Sequence, residues 1–487
     1  MSSVKKQLIS GITYSAIAKY SGIIISLVVT AILARHIDPS NFGMVAIATV
    51  IITFFGIFGD LGISPAIVQN KDLSKSELSD IFSFTLWIGI LIASLFFLFS
   101  WSVAKYYDSD ILGLICKILS VILLANALNI VPNAILMKNK EFRFIAIRTL
   151  LIQLFAGLIS VIAALNGAGL YALLINPVFS SVAIFIFSYY KYPQRLKMTW
   201  GFKSISKIFT FSFYQFWFNI INFFSRNLDK LLIGKYMGMT PLGYYEKSYR
   251  LMMLPLQNIT FVITPVMHPV LSQFQDDLKH LSWSYLRIVK ILAFIGTTLS
   301  VFLFFSSKEI VLLIFGDQWV QSVPIFRILS MTVGLQIVSS TAGAIFQAAN
   351  NTRHLFISGC LSALVMISGI LSGIFIFKTL ESVAWCICIA IPINFIQTYF
   401  IMYRYTFKLS IIPFVKQLIS PLILTIILIL LYSLLSPFIN EMNFIISIII
   451  KGALCVIVAG LYIQYTKVYD IKNAIIELKN KFLSSKK

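Results

Sequence analysis

The chain has 487 residues, of which 59% are hydrophobic and 12% charged, where a soluble protein carries about 25% charged residues. Apolar runs of about 20 residues recur from end to end, so the composition excludes a water-soluble globule and defines a polytopic, all-α membrane protein. The formal charge of +21 sits mostly in short loops and tails between those runs, where it sets topology and does not signal a nucleic-acid partner.

Fourteen spans are expected, at about 10–34, 42–66, 81–104, 111–135, 148–166, 169–190, 208–235, 249–271, 283–306, 323–348, 355–377, 382–403, 414–436 and 444–466. The short connections make most sequential helices antiparallel neighbours. Lys5 and Lys6 precede an apolar run too long for a signal peptide and lacking a cleavage site, so that run is taken as the first span. Basic residues alternate in density between successive loops. Lys71 and Lys75, then Lys138, Lys140 and Arg143, then Lys191, Arg195, Lys197, Lys203 and Lys207, and later Arg404 and Lys408 mark one side. The other side holds little more than Arg35, Lys105, Lys235, Lys247, Lys308 and Lys378. The dense side is cytoplasmic by the positive-inside rule, which places both termini in the cytoplasm. All five cysteines fall in expected spans, with no CxxC and no Cys/His cluster, so neither a disulfide nor a metal or other cofactor is expected. The linker 191–207 mixes basic residues with Trp200, Phe202 and Ile205, and the tail carries Ile471, Ile475, Leu478 and Phe482 on one helical face among lysines. Both compositions suit the surface of an anionic bilayer, or a solvated segment that only fixes topology.

The seventh span carries the most informative pattern. Ser212, Gln215, Asn219, Asn222, Arg226 and Asp229 recur at steps of three and four and share one face, while phenylalanines and isoleucines fill the others. Lipid offers such groups no partners, so this face turns to protein or to a wet cavity. The first span repeats the pattern at an offset of 200 residues: Ser15, Lys19, Gly22, Ser26 and Thr30 fall on Gln215, Asn219, Asn222, Arg226 and Lys230. Phe42-Gly43 likewise falls on Leu242-Gly243, and 128–131 resembles 335–338 at a similar offset. Six helices followed by six in the same orientation imply two lobes, 1–190 and 208–404, joined by the linker 191–207. Helices 13 and 14 (405–466) and a basic tail (467–487) follow the repeat.

The run LARHIDPSNFGMVAIATVIITFFGIFGDLGISPAIVQ (Leu33 to Gln69) resembles the N-terminal hallmark of bacterial polysaccharide flippases of the O-antigen, capsule and colanic-acid type. The run RNLDKLLIGKYMGMTPLGYYEKSYRL (Arg226 to Leu251) is similar to the hallmark of their second half. The resemblance spans the whole chain and includes a superfamily shared with MATE drug exporters and lipid II flippases. It implies a carrier in the cytoplasmic membrane that moves a polyprenyl-diphosphate-linked oligosaccharide repeat unit from inner to outer leaflet. A polymerase, with a chain-length regulator, would then act on the product.

Ionisable groups inside spans are costly and point to function. Lys19 lies about 13 Å into its helix at 1.5 Å per residue, close to the midplane. A diphosphate needs cations, of which arginine binds bidentately and lysine as a point charge. Lys19 and Arg226 are therefore the expected diphosphate ligands, and Gln215, Asn219, Asn222, Asn129 and Gln336 the expected sugar contacts. Asp60 and Asp229 are the acids available for ion coupling. The plainer alternatives are that Arg226 and Asp229, at i and i+3, neutralise one another, and that the amide stripes only join helices. A MATE-type exporter of cationic drugs would favour an acidic, aromatic cavity, whereas the deepest charge here is Lys19. A lipid II flippase would share the basic cavity. A membrane glycosyltransferase or polymerase needs acidic catalytic residues and large loops that the sequence lacks, so an enzyme is not expected.

Overall fold

The computed structural model describes residues 2–60, 62–70, 72–197, 209–439 and 442–466, and within some helices the side chains lie outside the described set. The described residues are helical with no strand. Among the described residues, eleven helices are long and apolar enough to cross a membrane, or twelve if one bent pair counts as a single span. Their exposed faces carry Phe155, Ile186, Leu364, Ile426 and Leu434, as faces that meet lipid rather than water must. Most of the linker and all of the tail with the expected interfacial stripe fall outside the described residues.

The chain forms two compact units, Met1–Glu246 with Ile314–Gln318, and Lys247–Leu313 with Trp319–Lys487. The first holds α1 (Ser2–His36), α2 (Pro39–Asp60), α3 (Ile63–Gln69), α4 (Lys75–Tyr107), α5 (Asp110–Lys138), α6 (Phe142–Leu165), α7 (Leu170–Lys191) and α8 (Phe209–Tyr236). Its packed pairs are α4 with α5, α1 with α6, and α7 with both α5 and α6, and α2 lies against α5 and α8. Ile63, Ile67, Phe82, Val131 and Ala134 form a buried cluster where α3, α4 and α5 meet. Ser74 and Glu77 start α4 with a reciprocal capping box, the Ser74 N–H donating to Glu77 Oε2 at 2.8 Å and the Glu77 N–H to Ser74 Oγ at 3.2 Å.

The second expected span ends early. Gly62 adopts φ 73°, which stops α2 at Asp60, and the chain restarts as the short α3. The expected fifth span starts late by comparison, because α6 begins at Phe142 and carries Arg148 inside the helix. Beyond α8, α9 (Met239–Leu271) is one unbroken helix, so Lys247, read from sequence as a loop cation, lies inside it and is buried. α8 and α9 coincide with the expected seventh and eighth spans and contain 28 and 33 residues.

The second unit continues with α10 (Leu278–Phe305), α11 (Ser307–Phe315), α12 (Ser322–Ser330), α13 (Val333–Ser339), α14 (Ala342–Ala348), α15 (Thr352–Leu371), α16 (Leu380–Ile401), α17 (Ile412–Ile439) and α18 (Phe444–Tyr465). α10 is its spine and packs on α12, α13, α17 and α18, while α15 pairs with α16. The expected tenth span is three pieces, bent by 48° between α12 and the rest. The cause is local: Ser330, Thr332, Ser340 and Thr341 turn their hydroxyls back onto carbonyls three residues earlier, competing with the helix ladder. The breaks are then satisfied from outside. Tyr399 donates to the Val338 carbonyl at 3.0 Å, and the buried Tyr285 hydroxyl lies 2.9 Å from Thr341 Oγ1 and 2.8 Å from the Tyr399 hydroxyl.

One packing detail bears on the repeat. A methyl group at Gly43 would lie 1.9 Å from the Met239 carbonyl oxygen, and one at Gly243 would lie 2.0 Å from that of Pro39. Only glycine allows this approach of the α2 and α9 starts. The contact is reciprocal, and both partners are related by the offset of 200 residues, as two-fold-related segments meeting at their axis would be.

Candidate functional site

The candidate residues of the first unit lie on α1, α5, α6 and α8. α1 is held against α6 by Gln153 Nε2, which donates to the Gly22 carbonyl at 2.9 Å, and by the Arg143 guanidinium 5.9 Å from the Tyr14 ring. These two contacts fix the register and bring Lys19, half-buried, level with the turn of α6 that follows Arg148.

Arg148 itself turns to α5 and α7. It is 7% exposed, and Nη1 donates to Ser188 Oγ while Nη2 donates to Asn133 Oδ1 at 3.2 Å. Its Nε is buried without a hydrogen-bond partner. A buried guanidinium held only by neutral groups retains its full charge in a low-dielectric unit, an arrangement that is costly unless an anion visits it. One turn along α5 from Asn133, Asn129 is half-buried and its Oδ1 is also without a partner. Asn129, Asn133 and Arg148 thus make a polar line through the interior of the unit. The reading from sequence missed Arg148 because it placed the residue at the edge of a span. The signal was an arginine four residues past the start of the apolar pattern, next to a basic cluster that masked it.

At the far end of α4, Tyr107 donates to the Leu231 carbonyl at 3.2 Å and Asp108 pairs with Lys235 at 3.2 Å, which ties down α8. The Phe54 ring of α2 packs tilted against Phe223 and edge-on against Phe224, with centroids 5.2 and 5.7 Å away. On this helix Arg226 is exposed, and Asp229 is 6% exposed. Asp229 Oδ2 accepts a hydrogen bond from the Tyr245 hydroxyl at 2.6 Å, and Oδ1 has none. Lys230 is neutralised by Glu246 at 2.7 Å. The acid is therefore held by α9 rather than by Arg226. The side chains of Gln215, Asn219, Asn222 and Asp60 lie outside the described residues; the first three sit on α8 and Asp60 is the last residue of α2.

Gln336 belongs to the second unit, on α13. Its Nε2 donates to Thr332 Oγ1 at 2.7 Å and lies 3.3 Å from Met252 Sδ, so its donor is used within the unit. The same unit buries an ion pair that sequence reading did not single out. Lys451 Nζ contacts Glu309 Oε1 and donates to the Phe305 carbonyl at 2.8 Å, and Ser447 Oγ donates to the same Glu309 oxygen at 3.0 Å. A lysine inside the run FIISIIIKGALC was the signal. At the loop end of α5 and α7, Tyr192 receives from Asn139 Nδ2 at 2.8 Å and donates to Glu141, whose hydrogen bond, with burial, pushes the phenol above its usual range.

The fold is that of a polytopic, all-helical membrane protein. It superposes on the lipid II flippase MurJ in its inward closed conformation with a TM-score of 0.73 over 93% of this chain and 99% of that one, at 17% identity. The family described as polysaccharide biosynthesis protein matches residues 32–324, and the chain belongs to that family. Two relatives are the teichuronic acid biosynthesis protein TuaB of Bacillus subtilis (strain 168), 24% identical with 87% of this chain and 88% of that protein covered, and the lipopolysaccharide biosynthesis protein WzxC of Escherichia coli (strain K12), 25% identical with 82% of each covered.

Proposed function

We propose that the chain is a flippase. It carries a polyprenyl-diphosphate-linked oligosaccharide repeat unit from the inner to the outer leaflet of the cytoplasmic membrane, for assembly of a surface polysaccharide. The observation that carries this reading is Arg148, a guanidinium buried among neutral groups at the level of Lys19. A cation carrier would repel its cargo there, whereas an anionic headgroup supplies the missing counter-charge. Family membership and the names of the relatives give the cargo its sugar polymer context. No bond is made or broken, so the protein is a transporter and not an enzyme.

In this reading the chain has fourteen spans and both termini in the cytoplasm. Lys19, Arg148 and Arg226 receive the diphosphate in turn, while Asn129 and the amides of Gln215, Asn219, Asn222 and Gln336 meet sugar hydroxyls. The polyprenyl tail stays in the bilayer. The lobes 1–190 and 208–404 rock to expose the path alternately to each side. Outward movement of two negative charges is favoured by about 4–5 kcal/mol at 100 mV, interior negative. Asp229, with one oxygen held by Tyr245 and one open, and Asp60 are the coupling acids if an ion moves inward. A polymerase and its chain-length regulator take the product.

The test is a strain whose surface polysaccharide depends on this protein. Lys19→Ala, Arg148→Gln and Arg226→Ala, each at normal protein level in the membrane, are expected to lower surface polymer. Full polymer in all three removes the assignment of these residues. The fold is shared with a lipid II flippase, and rescue of lipid II transport in place of polymer export would move the reading to that substrate.

A further inference from the structure

The second unit contains a basic cavity that the proposed path does not use. It has a volume of about 260 Å³ and is lined by Phe304, Lys308, Glu309, Arg327, Ser436 and Lys451, which converge from α10, α11, α12, α17 and α18. Three of these are cations and one is an acid. The acid is committed: Glu309 accepts from Lys451 and from Ser447. The pair is deeply buried, with side chains 2% and 7% exposed, and it forms a neutral floor. Lys308 and Arg327 remain as an uncompensated double positive charge at the mouth, both exposed. Arg327 is pre-set: its Nε donates to the buried Ser307 Oγ at 3.0 Å, and its guanidinium lies 5.9 Å from the Phe304 ring. That leaves the two Nη groups for a ligand. A guanidinium fork beside an ammonium, over an aromatic wall, is the donor set that binds a phosphate bidentately.

Around the cavity α17 and α18 present apolar surface, with Leu434 72%, Phe438 73% and Ile445 53% exposed. A ligand with a phosphate at the cavity and a hydrocarbon tail against those helices satisfies both surfaces at once. The Lys/Arg topology of the proposed reading puts these helix ends at the outer leaflet.

We propose that this cavity binds the phosphate group of an anionic lipid at the outer face. The site is built wholly from residues of the second unit, whereas Lys19 and Arg148 belong to the first, and its occupancy does not require transport. It gives an arriving or resident phospholipid headgroup a place on the trailing helices.

The test uses the full chain purified in detergent and probed by native mass spectrometry and thermal unfolding. Three probes are added separately: inorganic diphosphate, phosphatidylglycerol and a short polyprenyl diphosphate. The double variant Lys308→Gln/Arg327→Gln alters two exposed side chains, so folding is preserved, and its unfolding temperature without probe confirms this. Binding of phosphatidylglycerol or the polyprenyl diphosphate to the wild type, weakened about tenfold in the double variant, supports the proposal, and which of the two binds tells a resident from a carried lipid. Binding of inorganic diphosphate alone overturns the lipid assignment. Equal binding of every probe to wild type and variant, or no binding of any, overturns it. Lys19→Ala should bind as the wild type does, so loss of export in that variant with intact probe binding separates the fate of this site from that of the flippase reading.

Discussion

Charge without a counter-charge is the residue-scale theme, and Arg148 and Lys451 show its two outcomes. Lys451 is matched by Glu309, both buried. Glu309→Gln is expected to lower stability by about 3–5 kcal/mol, because it strands a buried ammonium, while the double change Glu309→Leu/Lys451→Met should be close to neutral. Thermal unfolding of the purified variants measures both, and a single variant as stable as the wild type would show that the pair contributes nothing. Arg148 has no acid to lose. Arg148→Met should therefore leave stability unchanged or slightly raised while lowering transport about tenfold, the trade expected of a functional charge kept at a structural cost. A fall in stability that matches the fall in transport would make the arginine structural.

The elements were legible in sequence where one apolar period ran uninterrupted, as in α4, α5, α17 and α18. They were misread where the backbone bends for reasons that composition hides. Gly62 in the left-handed region divides the expected second span, and four hydroxyls folded back onto the ladder divide the tenth. Of the proposed path, Lys19 and the polar stripe expected on α8 rest on sequence periodicity, and of that stripe the structure describes only the side chains of Arg226 and Asp229. Arg148 could not, since its importance lies in what it lacks, and a missing carboxylate is a three-dimensional fact. The repeat was legible as an offset of 200 residues, and its physical expression is the crossing of α2 and α9 at Gly43 and Gly243. Gly43→Ala and Gly243→Ala should each push those helix starts apart and cost about 1–3 kcal/mol or more. The two should be alike because the contact is reciprocal. Unchanged unfolding temperatures in both would mean that the crossing is looser than the geometry implies.

At the scale of the molecule, the chain is an all-helical membrane protein with the fold of a lipid II flippase and the family of polysaccharide biosynthesis proteins. Each unit offers a pair of cations, half-buried Lys19 with buried Arg148 in the first and exposed Lys308 with exposed Arg327 in the second. A carrier of an anion should respond to voltage: collapsing a 100 mV potential removes about 2.3 kcal/mol per charge moved and should slow net outward transfer in vesicles. Transfer indifferent to the potential would argue for a neutral cargo or full charge compensation by a coupled ion.

As the proposed flippase, this chain alone should move a diphosphate-linked oligosaccharide lipid across a bilayer. The most direct measurement reconstitutes the purified protein in sealed vesicles, with a labelled polyprenyl-diphosphate oligosaccharide in both leaflets and a membrane-impermeant reagent that modifies only the sugar outside. Vesicles with the wild type should lose the label from both leaflets, and vesicles with Arg148→Met should lose the inner pool about tenfold more slowly. Protection of the inner half in wild-type vesicles, equal to that in empty ones, would contradict the account.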